Sequence, residues 1–373
     1  MNVENQKLIT VCQAFGIDGT LKNTKIFTDG HINSTYLVEF EIDGESKKYL
    51  VQQINTHVFK DPDILMENIT GVTEYLRDEI KKNGGNPKRE TLTFLKANTG
   101  KFYHIIDDGT CWRIYDFVDN SFTYDLIDSN EVFESAGKSF GKFQCLLDGY
   151  PADKLKETIP DFHNTPKRLE ALRLSAEKDV MGRAKEVANE LEFAFSRADC
   201  TDVALKLYEN GEIPLRVTHN DTKLNNILFD SNTNDGICVI DLDTIMPGFS
   251  LYDFGDAIRF GAKTAFEDET DLSKVSISLS LYESYVKGYL STCASALTKA
   301  EVEHLAFSAK LLTFECGIRF LTDYLDGDVY FKIDRPTHNL DRARNQFKMV
   351  EEIEKHLDEM NEITNRIYSE IMK

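Results

Sequence analysis

The stretch Val217-Thr-His-Asn-Asp-Thr-Lys-Leu-Asn-Asn-Ile-Leu-Phe229, followed by Val239-Ile-Asp-Leu-Asp243, decides the fold of this chain. Asn226 follows Asp221 by five residues, and Asp241 follows Asp221 by twenty. Phosphoryl transfer uses such a set, because one carboxylate receives the proton of the attacking hydroxyl while an asparagine and a second aspartate hold metal. The spacing therefore predicts Asp221 as the catalytic base of a phosphoryl-transfer site.

The local pattern predicts how these side chains meet. Two apolar runs, 227–229 and 237–240, flank a segment rich in turn residues, so we expect them to pair as a short hairpin. Pairing returns Asp241 to the side of Asn226, where a carboxylate and an amide oxygen can share Mg²⁺. Lys223 is then expected to act in catalysis by facing the transferred phosphate as a point charge.

Neighbouring polar residues have simpler interpretations. An isolated Asp followed by Asn is most often turn chemistry, and only the ordered set favours a site. His219 is interpreted as a core imidazole that braces the loop. Asp253-Phe-Gly255 looks like the magnesium-binding triplet of protein kinases, but it follows a loop signal and is interpreted as a helix start. Asp253 or Asp256 is expected to cap that helix or to brace the catalytic loop.

Composition limits the class of protein. The chain has 373 residues, which is long enough for two lobes with hydrophobic cores. Its net charge of −20 disfavours nucleic acid or an anionic membrane as a partner. The N-terminal residues lack an apolar secretion segment, no run approaches the roughly 18 apolar residues of a membrane helix, and seven cysteines show no Cys-x-x-Cys spacing. These features predict a cytoplasmic protein with reduced thiols.

Secondary-structure patterns predict an α+β, protein-kinase-like fold of two lobes. Residues 1–118 favour a small antiparallel, nucleotide-binding sheet with one main helix near 63–82. The predicted strands are 34–42, 48–54 beyond a turn at Asp43-Gly44, two segments near 92–97 and 101–106, and 111–118. Residues 119–373 favour a larger, mostly helical lobe that carries the catalytic loop.

Four helices stand out in the second lobe. They are predicted over 132–147, 166–198 and 340–371, with another starting at the capping box of Thr298. The amphipathic helix predicted over 340–371 either packs on its own lobe or forms a coiled-coil dimer. The chain is therefore expected to be a monomer or a weak dimer.

The segment 27–35 is a candidate phosphate loop, because it lies between two predicted strands. It contains a single glycine, Gly30, so an ordinary hairpin turn is an equally good interpretation. In the functional interpretation, backbone amides near Gly30, Asn33 and Ser34 contact the phosphate oxygens of a nucleotide.

The strand at 48–54 lacks the lysine that pairs nucleotide phosphates in protein kinases. Glutamines occupy the corresponding positions, and Gln53, or else Gln52, is the candidate donor. An uncharged donor stabilises phosphate less than a cation does, so phosphate neutralisation is expected to depend more on Mg²⁺. Glu67 lies roughly where the helix glutamate of a kinase stands, without a lysine to pair.

Four segments together resemble the N-acetylhexosamine 1-kinases of the aminoglycoside and choline phosphotransferase superfamily, which has the protein-kinase-like fold. They are 219–226, 241–244, 246–260 and 319–331. The wider superfamily usually has His-Gly-Asp-Leu-His-Pro-Gly-Asn in the loop, whereas this chain has His-Asn-Asp-Thr-Lys-Leu-Asn-Asn. This departure narrows the resemblance from the whole superfamily to the N-acetylhexosamine 1-kinases. The resemblance implies ATP- and Mg²⁺-dependent phosphorylation of the anomeric C1 hydroxyl of N-acetylglucosamine or N-acetylgalactosamine.

The same resemblance implies candidates for sugar binding. Arg319 is carried over from the family position, and Tyr330, Asp323 and His31 are weaker candidates. An ion pair between Arg319 and Asp323, four residues on in a helix, is the structural alternative. Two rival functions are a kinase of the same superfamily acting on choline, an amino alcohol or an aminoglycoside, and a catalytically silent nucleotide-binding protein.

Overall fold

The N-terminal part of the chain is built on one antiparallel sheet of five strands, in the order β1-β2-β3-β5-β4. The computed structural model describes residues 3–27, 32–127 and 129–373. The strands are β1 Thr20–Phe27, β2 Ser34–Ile42, β3 Glu45–Ile54, β4 His104–Ile105 and β5 Cys111–Asp116. Asp43 and Gly44 have positive φ angles of 53° and 81°, as a two-residue hairpin turn requires, so the predicted turn between β2 and β3 is confirmed.

Two helices cover the two faces of this sheet. Helix α1, Val3–Ala14, buries Leu8 in a cluster that includes Val51 of β3. Helix α2, Pro62–Lys82, packs in a second cluster with Ile54, which alternation places on the opposite face of β3. The helix predicted near 63–82 is thereby confirmed, whereas α1, with its narrow apolar stripe, was not predicted.

The C-terminal part is larger and mostly helical, which confirms the predicted α+β class. The remaining helices are α3 Pro87–Glu90, α4 Asn130–Leu146, α5 Thr165–Lys178, α6 Ala188–Phe195, α7 Val203–Glu209, α8 Ser250–Gly261, α9 Leu279–Cys293, α10 Lys299–Glu303, α11 Leu305–Asp326 and α12 His338–Ile371. Two small sheets lie among them. One contains β6 Ser121–Phe122, β8 Ile227–Asp230 and β9 Gly236–Val239, and the other contains β7 Arg216–Thr218 and β10 Met246–Gly248. Strands β8 and β9 are the predicted hairpin.

Two predicted elements are wrong in extent. The segment 92–97 forms no named strand and joins the sheet through the Phe94–Tyr115 bridge and flanking backbone hydrogen bonds. The long helix predicted over 166–198 is interrupted after α5. Asp179 adopts a left-handed φ of 41° and Gly182 a φ of 68°, and such residues end an α-helix because the next turn cannot continue the backbone hydrogen bonding.

The C-terminal helices pack within the chain. Thr298 forms the predicted capping box with Glu301 at the start of α10. Helix α12 buries Phe347, Val350 and Ile353 in the core, so its apolar stripe is used within its own lobe. In the ranges that the structure describes, no helix has the length and apolar character needed to cross a membrane.

Candidate active site

The catalytic loop follows β7 and brings together three predicted residues, Asp221, Lys223 and Asn226. The Lys223 Nζ lies 2.7 Å from Asp221 Oδ1 and 3.0 Å from Oδ2. Asn226 Nδ2 donates to the Asp221 carbonyl at 2.8 Å and to Asp221 Oδ2 at 3.2 Å. Asp221 thus keeps a fixed orientation between a cation and an amide, while a quarter of its side chain stays exposed to receive a substrate.

Helix α8 holds this loop from behind. Asp253 accepts hydrogen bonds from the backbone N–H groups of His219, at 2.8 Å, and Asn220, at 2.7 Å. Asp256 accepts from the backbone N–H of Thr222 at 3.0 Å. Asn220 adopts a left-handed φ of 63°, and its backbone is fixed there by these carboxylates. The prediction that Asp253 or Asp256 braces the loop agrees with this geometry.

His219 is a structural imidazole, as the sequence indicated. It is fully buried, with Phe140 and Phe143 packed edge-on against its ring. Its Nε2 lies 2.8 Å from the Ile240 carbonyl, and its Nδ1 accepts from the Asp221 backbone N–H at 3.3 Å. Because both ring nitrogens have partners, His219 ties the loop to the segment that carries Asp241.

Asp241 lies beside the catalytic loop, where the hairpin was predicted to bring it. The Ile240 N–H donates to the Asn226 carbonyl at 2.9 Å, which continues the β8–β9 ladder to the residue before Asp241. Asp241 has a left-handed φ of 58°, a conformation that Asp tolerates better than most residues. Desolvation by the surrounding protein atoms, with the nearby carboxylates of Asp243 and Asp221, raises the pKa of Asp241 to about 6, although the side chain reaches solvent.

This donor set fits a magnesium ion. Asp241 is a solvent-accessible carboxylate close to the carboxylates of Asp243 and Asp221, and an amide side chain, Asn226, lies one ladder position away. No group of three or more His, Cys, Asp or Glu side chains within the described ranges could enclose a metal by itself. Mg²⁺ typically takes one or two carboxylates and completes its octahedron with substrate phosphates and water, so an open pair suits it.

An arginine that the sequence analysis did not identify lies next to this site. Arg113 of β5 is 2 % exposed, and its Nη1 pairs with Asp243 Oδ1. Its Nε and Nη2 donate to Gln52 Oε1 at 3.0 and 2.8 Å. The signal in the sequence was a charged residue inside the apolar run 111–118, because a buried charge requires a partner.

Of the residues predicted to bind nucleotide, the structure brings only some to the site. Gly30 lies outside the described residues. Asn33 reaches the site, since its Nδ2 donates to Asp243 Oδ2 at 2.5 Å, whereas Ser34 is exposed at the start of β2. Gln53 lies on the face of β3 opposite Gln52, so the glutamine that the structure brings to the site is Gln52.

Glu67 does not take the position of a kinase helix glutamate. It forms an exposed ion pair with Lys156 at 2.8 Å. The next residue, Asn68, is the inward one, and it donates to the carbonyls of Lys156 and Ile245 at 2.7 and 3.0 Å. Helix α2 is therefore attached to the C-terminal part by a neutral amide.

Arg319 of α11 is surrounded by aromatic rings. Its guanidinium carbon lies 5.5 Å from the ring centroids of Phe162 and Phe331 and 5.8 Å from that of Tyr330. Arg319 forms no ion pair or hydrogen bond within the ranges that the structure describes, so the alternative of a pair with Asp323 is wrong. Tyr330 is 64 % exposed, which leaves its ring free on one side.

Asp323, predicted as a weak sugar ligand, holds a loop together instead. Its carboxylate accepts from the backbone N–H groups of Val329, Tyr330 and Phe331 at 2.8–2.9 Å and from Asn339 Nδ2 at 2.8 Å. With these four donors and 4 % exposure, the side chain has no capacity left for a ligand. His31, the other weak candidate, lies outside the described residues.

Helix α11 is joined to the catalytic loop by a buried pair that sequence reasoning missed. His163 Nδ1 lies 2.7 Å from Glu315 Oε1, one turn before Arg319, and His163 Nε2 lies 3.4 Å from the Asn220 carbonyl. Thr165 donates to the other Glu315 oxygen at 2.6 Å. A cavity of about 150 Å³ opens beside His163. These residues are far apart in sequence, so no local motif could reveal them.

Two further cations of the C-terminal part have lowered pKa values. Arg168 donates only to the Phe162 carbonyl, at 3.0 Å and 3.3 Å, and burial together with the charge of Arg319 lowers the pKa of its guanidinium. Burial also lowers the pKa of Lys263, which lies over the Phe260 ring. Neither cation forms an ion pair in the described part of the chain, and the buried carboxylate of Glu315 interacts with the charges of both Arg168 and Arg319.

Comparisons with known proteins agree on the fold. The profile of a family described as "Phosphotransferase enzyme family" matches residues 24–285. A spectinomycin phosphotransferase, solved with ADP and spectinomycin, superposes with a TM-score of 0.57 at 14 % identity, over 95 % of this chain and 98 % of that one. Choline kinase from Cryptosporidium parvum Iowa II gives 0.57 at 16 %, over 95 % and 96 %, and Plasmodium vivax ethanolamine kinase gives 0.54 at 17 %, over 92 % and 89 %. The chain has the kinase-like fold.

Proposed function

The chain belongs to the phosphotransferase enzyme family, and from this premise we propose that it transfers the γ-phosphoryl group of ATP to the anomeric C1 hydroxyl of an N-acetylhexosamine. The observation that supports the transfer most strongly is the partly exposed Asp221 carboxylate, held between Lys223 and Asn226. It lies close to Asp241, and His163 joins its loop to α11, the helix that carries Arg319, by contacting the Asn220 carbonyl and Glu315.

In the proposed mechanism Asp221 accepts the proton of the attacking hydroxyl. A correctly placed general base contributes roughly 10²–10⁴-fold to the rate. An anomeric hydroxyl is more acidic than the other hydroxyls of a sugar, so a carboxylate can take its proton late in the transfer. Lys223, whose charge already lies against Asp221, stabilises the negative charge of the phosphoryl group in transit.

Asp241 and Asn226 would hold Mg²⁺ at the nucleotide. The ion, when bound, neutralises phosphate charge and orients the transferred group. The chain's own part is to supply one accessible carboxylate and one amide oxygen at a fixed separation, because the β8–β9 hairpin holds both residues. Asn33 and the adjoining segment from Gly30 to Ser34 are proposed to lie over the nucleotide phosphates.

Charge around Arg319 favours an uncharged acceptor. Arg319 and Arg168 form no ion pairs within the described ranges, and the nearby Glu315 carboxylate is already bonded to His163 and Thr165, so a quaternary ammonium or an aminoglycoside would meet like charge there. Hydroxyl and acetyl carbonyl oxygens accept hydrogen bonds from a guanidinium. The rings of Phe162 and Tyr330 would supply the apolar wall against which a sugar packs.

We also propose a lobe boundary near residue 118. The five-stranded sheet ends at Asp116, and the next strand, β6 Ser121–Phe122, pairs with β8 of the C-terminal part. Residues 1–118 would then form the nucleotide lobe and 119–373 the lobe with the catalytic loop. Two lobes joined there would enclose the nucleotide between β3 and the β8–β9 hairpin.

An acceptor panel tests the proposal. Purified protein is incubated with ATP, Mg²⁺ and separate N-acetylhexosamines, hexoses, choline, ethanolamine and aminoglycosides, and the position of phosphate in each product is determined by NMR. We expect phosphate at C1 of an N-acetylhexosamine. Turnover restricted to choline, ethanolamine or an aminoglycoside would show that the acceptor is cationic and not a sugar. Absence of turnover with every acceptor would favour a catalytically silent nucleotide-binding protein.

A further inference from the structure

A positive charge enters the nucleotide region from β5 instead of β3. In the β3–β5 ladder Gln52 lies directly opposite Arg113, and paired residues in an antiparallel ladder project to the same side. Gln52 accepts two hydrogen bonds from the Arg113 guanidinium, at 3.0 and 2.8 Å. A kinase lysine on β3 has therefore been exchanged here for a glutamine that orients an arginine on the neighbouring strand.

Arg113 acts through Asp243 and cannot itself cover the phosphates. Its three polar nitrogens are directed to Gln52 and Asp243, and the side chain is 2 % exposed. Asp243 is 3 % exposed, so the pair is removed from water, and each charge depends on the other. A buried charge left without its partner is strongly unfavourable, and this fixes the relative positions of β5 and the 241–244 segment.

Asp243 connects three parts of the nucleotide region. One carboxylate oxygen accepts from Arg113, and the other accepts from Asn33 Nδ2 at 2.5 Å. Asn33 in turn accepts from the Asn55 backbone N–H at 2.9 Å, next to the end of β3. Because Asp243 lies two residues after Asp241, the same contacts locate the candidate metal ligand relative to the sheet.

We propose that the Arg113–Asp243 ion pair replaces the strand-lysine and helix-glutamate pair of protein kinases. Arg113 is a positioning residue: it anchors Asp243, and through Asp243 it sets the position of Asp241 and of the loop end at Asn33. The carboxylate comes from the catalytic part of the chain and not from α2, where Glu67 forms an exposed pair with Lys156. Assembly of the nucleotide site and alignment of the sheet with the catalytic part are thus carried by one contact.

A charge-relocation experiment tests this role. The variants are Arg113→Gln, Asp243→Asn, and the swap Gln52→Arg with Arg113→Gln, which returns an arginine to the same face from the opposing strand. Lys48→Gln is the matched control, because Lys48 is a cation of the same sheet, on β3, but forms an exposed 3.2 Å pair with Asp119. MgATP binding is measured by calorimetry without acceptor, so the outcome does not depend on the proposed sugar.

The account expects Arg113→Gln to weaken MgATP binding about tenfold or more and to require more Mg²⁺ for half-maximal rate, while the KM for acceptor is unchanged. Asp243→Asn should behave alike, and the double variant Arg113→Gln/Asp243→Asn should be no worse than either single variant. The swap should recover most of the lost binding. Lys48→Gln should match the parent protein.

Thermal unfolding identifies variants that fail to fold, and the swap keeps the experiment decisive if Arg113→Gln is one of them. A folded Arg113→Gln protein with normal MgATP binding and normal Mg²⁺ dependence would overturn the proposal. So would a folded swap variant that binds MgATP no better than Arg113→Gln. If MgATP binding responds as expected but no N-acetylhexosamine is phosphorylated, the proposed acceptor is wrong and the role of Arg113 stands.

Discussion

The phosphoryl-transfer centre and the region around Arg319 are built in opposite ways. In the centre, Asp221 is held between a lysine and an amide, and the loop that carries it is fixed from behind by two carboxylates. Around Arg319 the guanidinium lies among aromatic rings and forms no hydrogen bond in the described part of the chain. The catalytic loop of the first region is oriented by internal partners, whereas the second region keeps the donors of Arg319 for a ligand.

The difference separates chemistry from recognition. A centre whose groups are already in place can serve any acceptor that presents a hydroxyl, because preorganised groups need not rearrange during the reaction. An unpaired cation between rings gains its partner only from the acceptor, so acceptor choice depends on that region. Substitutions in the phosphoryl-transfer centre should therefore change kcat, and substitutions around Arg319 should change the KM for acceptor.

The largest effect is expected from Asp221→Asn, which removes the base and keeps the shape. The kcat should fall by about 10²–10⁴-fold, while MgATP binding persists because the base does not hold the nucleotide. Steady-state rates and calorimetry of MgATP binding provide the measurement, with Asp235→Asn, on the β8–β9 turn, as an exposed control. A near-normal rate in Asp221→Asn would remove this residue from the role of base.

Substitution of Arg319 should affect recognition instead. Arg319→Met keeps much of the packing against Phe162 and Phe331 but removes the charge and donors, and loss of hydrogen bonds from a charged group should raise the acceptor KM about 10–100-fold. The KM for ATP should stay constant. Arg173→Met on α5, where Arg173 lies over the Phe195 ring, controls for loss of an arginine from an aromatic contact. If Arg319→Met raised the KM for ATP and left the KM for acceptor unchanged, the assignment of acceptor recognition to the Arg319 region would be contradicted.

The pH dependence of Mg²⁺ affinity should also distinguish the phosphoryl-transfer centre from the region around Arg319. Desolvation by surrounding protein atoms and the carboxylates of Asp243 and Asp221, partly offset by His219 and Arg113, give Asp241 a pKa of about 6 in the folded protein without metal. A carboxyl pKa raised by folding favours the protonated form, so the associated stability is present at low pH and is lost as pH rises through about 6. Mg²⁺ requires the carboxylate and should bind more tightly over that same interval.

The measurement is Mg²⁺ affinity in the presence of ATP at several pH values. Below the pKa, affinity should rise by up to about tenfold per pH unit and then level off, and Asp241→Asn should remove this dependence along with most of the binding. The acceptor KM of Arg319→Met should show no matching pH dependence. A flat Mg²⁺ affinity across pH 5–7 would argue against Asp241 as a ligand.

The smallest kinetic effect is expected at Asp323. Asp323→Asn replaces an acceptor of four hydrogen bonds with a side chain that must turn a donor toward backbone N–H groups, at a cost of about 2 kcal/mol in the free energy of unfolding. Thermal unfolding reports that loss, and the acceptor KM should stay near that of the parent. A large KM change without loss of stability would restore Asp323 as a ligand.

Sequence alone predicted the parts of the molecule that depend on local spacing. Asp221, Asn226 and Asp241 are brought together by one loop and one hairpin, and both are encoded within about 25 consecutive residues. The antiparallel pairing of the N-terminal strands, the helix over 63–82 and the capping box at Thr298 were likewise predicted from local sequence patterns. The break after α5 was missed because a single left-handed Asp179 ends a helix whose composition favours continuation.

The rest could not be predicted because it depends on contacts between distant residues. Arg113 meets Asp243 across 130 positions, and His163 meets Glu315 across 152. Glutamines on β3 indicated that a cation was absent there, but only the ladder register shows that Gln52 faces Arg113 on β5. Asp323 was misassigned for the same reason, since its partners are backbone groups that composition does not reveal.

Turnover of a sugar blocked at C1 tests the central claim most directly. The protein is given MgATP with free N-acetylglucosamine or with its methyl glycoside, which retains every hydroxyl except the anomeric one, and ADP release and sugar phosphate are followed together. The account predicts a sugar 1-phosphate from the free sugar and no phosphorylation of the glycoside. Phosphate on any hydroxyl of the glycoside, at a rate comparable to that of the free sugar, would contradict it.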